Sequence, residues 1–435
     1  MQLKNIFTRL LNVNGIVVDN VRFNPIEQDS IIFSVHIRKS LRLRDPRTGK
    51  KATFYDYGNG QPSYWRSLDF GPFKVYIEYM AARVICKDGR VLEEKLPWAP
   101  QGSRFTYDFE QLCCFLLETS SKKAVSEFLS ISWNSVGPIA ARYVKRNGKS
   151  KEERYRNLRR FGIDETSYKK GYKYLTTVVD QDTHKVIWCH VGHGKKVFEK
   201  FLMELTEEQR NNITCVSGDG ARWITDCVNE YLPNAKRCVD PFHVIEWTNE
   251  ALDKVRTEAW NEARRNATPK PKRGKGRPKK GEEPEEDVAS KIKGSQYALG
   301  KNPENLTENQ KNRLEFIAMS NPRLYRAYLL KEKLRLIFRD KNPDTVRLEL
   351  KSWMNWAQRC RIPVFRELRE KIKRHFNNIV ATIEEGLSNA RIEAINNKIK
   401  LSIRMAYGFR NDDSMLSMIM LRCSGLEVFK PTVSS

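Results

Sequence analysis

Residues 161–240 restrict the fold of this 435-residue chain more than any other stretch. FGIDETS, GYKYLTTVVD and KVIWCHVGH read as three consecutive strands with hairpin-length breaks, because β-branched and aromatic residues run between turn signals. KVFEKFLMELTEEQR then has the spacing of an amphipathic helix, ITCVSGD reads as a strand, ARWITDCVNEYL as a helix, and KRCVD as a last short strand. The order βββαβαβ predicts an α/β fold, in which a mixed sheet has three sequence-adjacent strands and helices packed on its faces.

The flanking segments have other periods. Residues 1–104 read as a β-rich module, with strands at IIFSVHI (31–37), KVYIEYM (74–80) and ARVICKD (82–88). Its basic stretch, Arg38, Lys39, Arg42, Arg44, Arg47, Lys50 and Lys51, is either a solvated face or a surface along a DNA backbone. From 105 to 150 the period is helical: FEQLCCFLLET, KKAVSEFLS, a break at Ile131, then SWNSVGPIAARYVKR with Ser132 as N-cap. Short helices, a tight turn and a basic last segment predict a helix-turn-helix, the alternative being an ordinary three-helix packing unit. Ala124, Val125, Phe128, Leu129 and Ile131 would form its core, leaving Trp133, Asn134 and Ser135 to face DNA. Pro138 argues against a regular recognition helix, since it removes a backbone donor and crowds the preceding turn.

After the sheet, HVIEWTNEALDKVRTEAWNEARR (243–265) reads as one long helix. TPKPKRGKGRPKKG (268–281) holds seven basic residues and no acidic one, which predicts a linker or exposed loop. Beyond it TENQKNRLEFIAM, NPRLYRAYLLKEKLRLIF, DTVRLELKSWMNWAQRC and VFRELREKIKRHFNNIVATIEEG read as helices. Residues 266–385 are thus a basic linker plus a helical insertion, and the core would occupy 160–265 and 386–425.

With 78 Lys and Arg against 53 Asp and Glu, the chain carries +25, a balance that suits a polyanionic partner. Its 40% hydrophobic and 10% aromatic content excludes a disordered or fibrous protein. No run of 18 apolar residues offers a membrane span, and MQLKNIFTRLLNVNG lacks the pattern of a secretory signal, so a cytoplasmic location is expected. Nine cysteines without a CxxC spacing read as buried reduced thiols.

Three acids carry candidate chemistry. Asp164 lies in the first strand of the sheet, Asp219 at the end of the fourth and Glu393 in the helix NARIEAINNKIK. Alone, each reads as a turn, a cap or a solvated face. Together they would converge three hard oxygen donors at one sheet edge, suiting two Mg²⁺ ions about 4 Å apart, with Mn²⁺ as a substitute, for phosphoryl transfer. On the Glu393 helix, Ile392, Ile395, Ile399 and Ile403 share one face. Glu393, Asn396 or Asn397, Lys400 and Arg404 follow one residue along. Lys400 and Arg404 would touch DNA phosphates, the bland alternative being surface charges. His243 and Asp240 could stand behind a metal site or simply start a helix, and Asp180 and Asp182 read as hairpin-turn residues. Arg273, Lys275, Arg277, Lys279 and Lys280 surround a Gly-Arg-Pro core resembling an AT-hook, for which an electrostatic tether, A·T preference and a passive linker all stay open.

FGIDETS, SGDGARW, CVDPFHV and SNARIEAINNKIKLSIRMAYGFRN closely resemble motifs of the ISL3-family insertion-sequence transposases. YMAARVICKDGRVLEEKLPWAPQGSRFT and ISWNSV resemble further family motifs, so the likeness spans roughly 60–425. It implies a DDE transposase with a ribonuclease-H-like core, whose acidic triad falls on Asp164, Asp219 and Glu393. It further implies recognition of terminal inverted repeats, Mg²⁺-dependent cleavage to 3′-hydroxyls and their attack on target double-stranded DNA. Family members usually carry an N-terminal zinc module with paired CxxC motifs. Here residues 36–90 supply only His36 and Cys86 of the four ligands a closed site needs, so no zinc is expected. Joining two DNA ends predicts a homodimer or larger assembly. A catalytically silent, domesticated DNA-binding protein or repressor of the same fold is the main alternative, and a structure-selective nuclease is a second.

Overall fold

A computed structural model describes residues 3–169, 171–267, 287–387, 390–406, 409 and 411–432. The chain divides into two compact units, Met1–Lys151 with Asn397–Ser435, and Glu152–Asn396.

The first unit opens with helix α1 (Leu3–Leu10) and strands β1 (Ile16–Phe23), β2 (Ser30–Ile37), β3 (Thr53–Asp56), β4 (Ser63–Phe70), β5 (Phe73–Tyr79), β6 (Arg83–Ile85) and β7 (Val91–Glu93). They form a four-stranded sheet of order β1-β2-β5-β4 and a three-stranded sheet of order β3-β6-β7. The three expected strands are present, the third shortened to β6. The sequence does not signal α1, β1 or β4. In β4 the buried Arg66 and Ser67 break the apolar pattern, and they are tolerated because the Arg66 guanidinium donates to the Ser67 carbonyl at 2.8 Å and pairs with Asp69. Trp65 and Trp98 meet edge to face at 5.6 Å in the core of this module.

Helices α2 (Tyr107–Leu117), α3 (Lys122–Phe128) and α4 (Trp133–Asn147) follow, each with the hydroxyl of Thr106, Ser121 or Ser132 accepting from a first-turn N–H. Ser130, at φ 51°, makes the turn between α3 and α4. The expected core is corrected in part: Val125 and Leu129 are buried, whereas Phe128 is 73% exposed, Ala124 is exposed and Ile131 half-buried. With only seven residues, α3 turns a single stripe inward through Lys122, Val125 and Leu129, and Phe128 falls off it. Glu110, fully buried in α2, is held by Arg142 at 2.7 Å and Arg146 at 3.1 Å from α4.

The second unit begins within α5 (Lys151–Tyr155) and continues with β8 (Arg160–Lys169), β9 (Lys173–Asp180), β10 (Lys185–Val191), α6 (Lys195–Glu204), α7 (Glu207–Asn212), β11 (Cys215–Gly218), α8 (Arg222–Tyr231), β12 (Lys236–Val239) and α9 (Pro241–Asn266). The βββαβαβ order holds, with one correction. The segment read as one helix is two, because Thr206 caps α7 in a reciprocal capping box with Gln209. The strands form one mixed sheet, β10-β9-β8-β11-β12, antiparallel from β10 to β8 and parallel from β8 to β12. Phe161, Trp188, Phe198, Phe201, Val216 and Ile224 fill the layer between sheet and helices.

The expected helical segment comprises α10 (Val288–Lys293), α11 (Gln296–Gly300), α12 (Glu308–Ser320), α13 (Pro322–Ile337), α14 (Pro343–Arg359), α15 (Pro363–Arg374) and α16 (Phe376–Glu384). It shares a core with α9 through Leu252, Val255, Leu330, Trp353 and Phe365. The helix expected over 364–386 is instead broken at His375, whose backbone sits at φ −101°, ψ 10°. The break turns α16 onto the sheet, where the Thr382 hydroxyl donates to the Val239 carbonyl at 2.8 Å.

Helix α17 (Ala390–Met405) holds the division between the units, and α18 (Asp412–Cys423) closes the first one against α4. α4 runs unbroken through Pro138. The residue before a proline resists the helical region chiefly through its Cβ, and Gly137 has none. All nine cysteines are free, eight buried and Cys189 half-buried. No described helix is long and apolar enough to cross a membrane.

Candidate active site

The parallel ladder between β8 and β11 pairs Arg160 with Cys215, Phe161 with Val216 and Gly162 with Ser217. Continued by two residues, that register sets Asp219 opposite Asp164. Gly218 permits the approach, since a Cβ there would stand 3.1 Å from the Ile163 carbonyl oxygen. Both aspartates are half-buried, and the Asp219 carboxylate accepts from the Ala221 N–H at 2.9 Å, which fixes it at the entry to α8. Glu165 accepts from the Gly194 N–H at 2.7 Å, tying β8 to the loop before α6. Burial raises the pKa of Glu165, and the nearby charges of Asp219 and Asp164 raise it further. The middle of β8 and the end of β11 therefore concentrate negative charge.

Opposite charge comes from residues the sequence did not single out. Arg237 of β12 is buried beneath the Asp219 loop. Its guanidinium donates to the Asp219 and Cys238 carbonyls and to the Val216 carbonyl at 3.3 Å. Burial lowers its pKa to about 10, still far above neutrality, so it remains a cation. Trp247 of α9 lies against Gly220, where a Cβ would come within 2.5 Å of the indole. Lys371, in the last turn of α15, places its ammonium 3.7 Å from the Trp247 ring centroid, and His375 packs on the same indole at 5.8 Å. Only the glycine pair flanking Asp219 in SGDGARW could have signalled this crowding.

Glu393 lies on α17 with its side chain exposed, as do Lys400 and Arg404. Among the described residues no group of three or more His, Cys, Asp and Glu side chains stands at metal-binding range. The fold thus brings Asp164 and Asp219 together and does not draw Glu393 into a three-acid cluster with them. The aspartate pair alone supplies hard oxygen donors of the kind a divalent cation takes. Asp240 caps α9 by accepting from the Phe242 N–H at 2.8 Å, and His243 contacts Glu246 at 3.2 Å. Asp180 accepts from the Asp182 N–H at 2.9 Å, in keeping with a hairpin turn.

In the helix-turn-helix, Asn134 is exposed, Ser135 half-buried, and the half-buried Trp133 ring carries the Lys122 ammonium at 3.8 Å. Arg273, Lys275, Arg277, Lys279 and Lys280 lie outside the described residues. Of the two N-terminal candidates for zinc, His36 contacts Asp19 at 2.8 Å and Cys86 is buried against Arg47, which bridges Asp45 at 3.4 Å and Asp88 at 2.8 Å.

Comparison with known proteins places the chain in a family. The ISL3 DDE family model, described as a transposase, matches residues 161–419, and the helix-turn-helix domain of transposase family ISL3 matches residues 94–144. The transposase for insertion sequence element IS1557 of Mycobacterium tuberculosis, in strains CDC 1551 and H37Rv, is 43% identical over 431 residues, covering 98% of this chain and 96% of its own. The transposase for insertion sequence element IS1001 of Bordetella parapertussis is 25% identical over 350 residues, covering 80% of this chain and 81% of its own. With a DNA-binding helix-turn-helix in one unit and paired aspartates in the other, the chain belongs to the ISL3 family of insertion-sequence transposases and is an enzyme acting on DNA.

Proposed function

We propose that the protein binds the terminal inverted repeats of its insertion sequence, cleaves the strand at each end to a 3′-hydroxyl and joins that hydroxyl to target DNA. Asp164, Asp219 and Glu393 would be its catalytic acids. The adjacency of Asp164 and Asp219 carries the proposal. A β10-β9-β8-β11-β12 sheet, with three antiparallel strands followed by two parallel ones, supports a ribonuclease-H-like core over 160–265 and 386–425, with 266–385 inserted before its last helix.

Asp164, Asp219 and Glu393 would hold the divalent cations the family implies, Mg²⁺ being our choice, which when bound activate the attacking oxygen and stabilise the leaving one. The chain's own residues do the rest. The Ala221 N–H holds the Asp219 carboxylate in place, and Arg237 offsets its charge from below. Glu393, on a helix whose Ile399 is buried, would complete the set once DNA is bound. Trp133, Asn134 and Ser135 would read the repeat, and Lys400 and Arg404 would contact phosphates. The protein would work in the bacterial cytoplasm as a homodimer or larger assembly, since two ends must be joined. The β-rich module of 1–104 and the helix-turn-helix of 105–150 would form its end-binding part.

The test is cleavage of a labelled duplex carrying the element end, in Mg²⁺ or EDTA, by the wild type and by Glu393→Gln. Metal-dependent nicking at the element boundary that Glu393→Gln abolishes, with end binding kept, is expected. Nicking by Glu393→Gln at the wild-type rate would remove Glu393 from the triad.

A further inference from the structure

Around Gly220, three side chains from outside the acidic pair form a shelf that the strand-cleaving chemistry above leaves without a task. Lys371 is half-buried and makes no hydrogen bond or ion pair with any described residue. Glu246 and Glu250 of α9 and Asp219 stabilise its charge only from a distance, whereas burial, the larger effect, lowers its pKa. A cation–π contact with Trp247 is worth about 0.5–2 kcal/mol and satisfies none of the three ammonium donors. His375 presents the same deficit. Its Nδ1 is buried without a partner, and its Nε2 lies 3.5 Å from where a Cβ at Gly220 would stand.

Unsatisfied buried donors are costly, and they recur where a ligand supplies the missing acceptor. Here the buried group is an imidazole nitrogen, and the half-buried Lys371 ammonium stands beside it. They stand beside a glycine whose missing Cβ lets the Trp247 indole pack close, one residue from Asp219. Lys371, in the last turn of α15, and His375, its C-cap four residues on, keep the helical spacing that sets both on one side. Arg374, on the same turn, adds positive potential, as does Arg237 beneath.

We infer that Lys371 and His375, braced on Trp247, form a phosphodiester-binding subsite that seats the DNA strand being cut at Asp219. The occupant is a backbone phosphate, because it presents several acceptor oxygens and one negative charge to side chains that find no hydrogen-bond acceptor among the described residues. Lys371 contacts that phosphate as a point charge, and His375 contacts it through a ring N–H. The inference rests on Asp219 being catalytic, so its test reads binding separately from cleavage.

The full chain is titrated with a pre-cleaved duplex carrying the element end, at several salt concentrations, in the wild type, Lys371→Met, Lys371→Arg and His375→Gln. Lys371→Met should flatten the salt slope by about 0.9, the contribution of one neutralised phosphate, and Lys371→Arg should restore it. A neutral methylphosphonate walked along the strand end should weaken wild-type binding at one position and leave Lys371→Met unchanged there. Cleavage of intact ends should fall about tenfold or more in Lys371→Met and in His375→Gln, with the unfolding midpoint kept. An unchanged slope in Lys371→Met, or equal sensitivity to every methylphosphonate in both proteins, would overturn the subsite. Wild-type cleavage by Asp219→Asn would overturn the role of Asp219 instead, leaving the slope to decide whether the shelf binds DNA.

Discussion

Gly220 shows how one missing methyl group can matter to chemistry at the neighbouring residue. A Cβ there would stand 2.5 Å from two atoms of the Trp247 indole, well inside contact distance, so the indole or the Asp219 loop would have to move. Gly220→Val should therefore push the Asp219 loop off its Ala221 hydrogen bond and cut end cleavage by about two orders of magnitude, with repeat binding unchanged because the helix-turn-helix lies in the other unit. A gel-shift titration beside a cleavage time course checks this, and wild-type cleavage by Gly220→Val would show that the loop yields. Asp164 and Asp219 were legible in the sequence because strand ends and spacing reveal which acids share a sheet edge. Arg237, Lys371 and His375 were not. Arg237 sits in a four-residue strand that reads as merely basic, and the other two matter through a contact with Trp247, more than 120 residues earlier, that no local pattern shows.

The same contrast holds for whole elements. The strands and helices of 160–266 were legible because their apolar residues keep one period, and the sheet's mixed direction follows from hairpins giving way to helical crossovers. The first module was legible only in part, because β4 buries Arg66 and Ser67, and β1 carries a half-buried arginine that finds its partner across the sheet. Glu78 of β5 is the centre of one such set. It accepts from Arg22 of β1 at 2.6 Å and from Tyr64 of β4 at 2.8 Å, so one carboxylate ties three strands. The Arg22 hydrogen bond is the main reason its pKa drops from 4.5 to about 2, with Ser34 and Tyr64 adding to the effect. A carboxylate depressed on folding contributes stability that is complete above its unfolded value, near 4.5, and is lost as pH falls through about 2. Unfolding followed by the fluorescence of buried tryptophans should show wild-type stability declining across that window. Glu78→Gln should be less stable at neutral pH and should lose less between pH 4.5 and 2. Parallel declines in the two proteins would mean that other carboxylates carry the acid sensitivity.

At the scale of the whole molecule, the +25 charge has to be divided between recognition and simple attraction. Many arginines are committed within the fold: Arg142 and Arg146 to Glu110, Arg22 to Glu78, Arg47 to Asp45 and Asp88, and Arg237 to main-chain carbonyls. Such residues release few counterions on binding DNA, since their charge is already matched or buried. The tract 268–281 is different in composition, with seven basic residues and no acid among fourteen positions, and the five acids of EEPEED (282–287) follow it directly. If it tethers DNA electrostatically, replacing Arg273, Lys275, Arg277, Lys279 and Lys280 with Gln should flatten the salt slope of DNA binding by up to about 4.5, at roughly 0.9 per phosphate. Affinity should then fall equally for repeat and random duplexes, because phosphate contacts carry no sequence information. If the Gly-Arg-Pro core instead reads a narrow minor groove, the loss should be greater on A·T-rich duplexes, where the potential there is most negative. Titrating the wild type and the five-fold variant against three duplexes, the element end, an A·T-rich sequence and a G·C-rich one, separates the two roles. An unchanged slope on all three would make the tract a linker and return the whole electrostatic share of binding to the folded units.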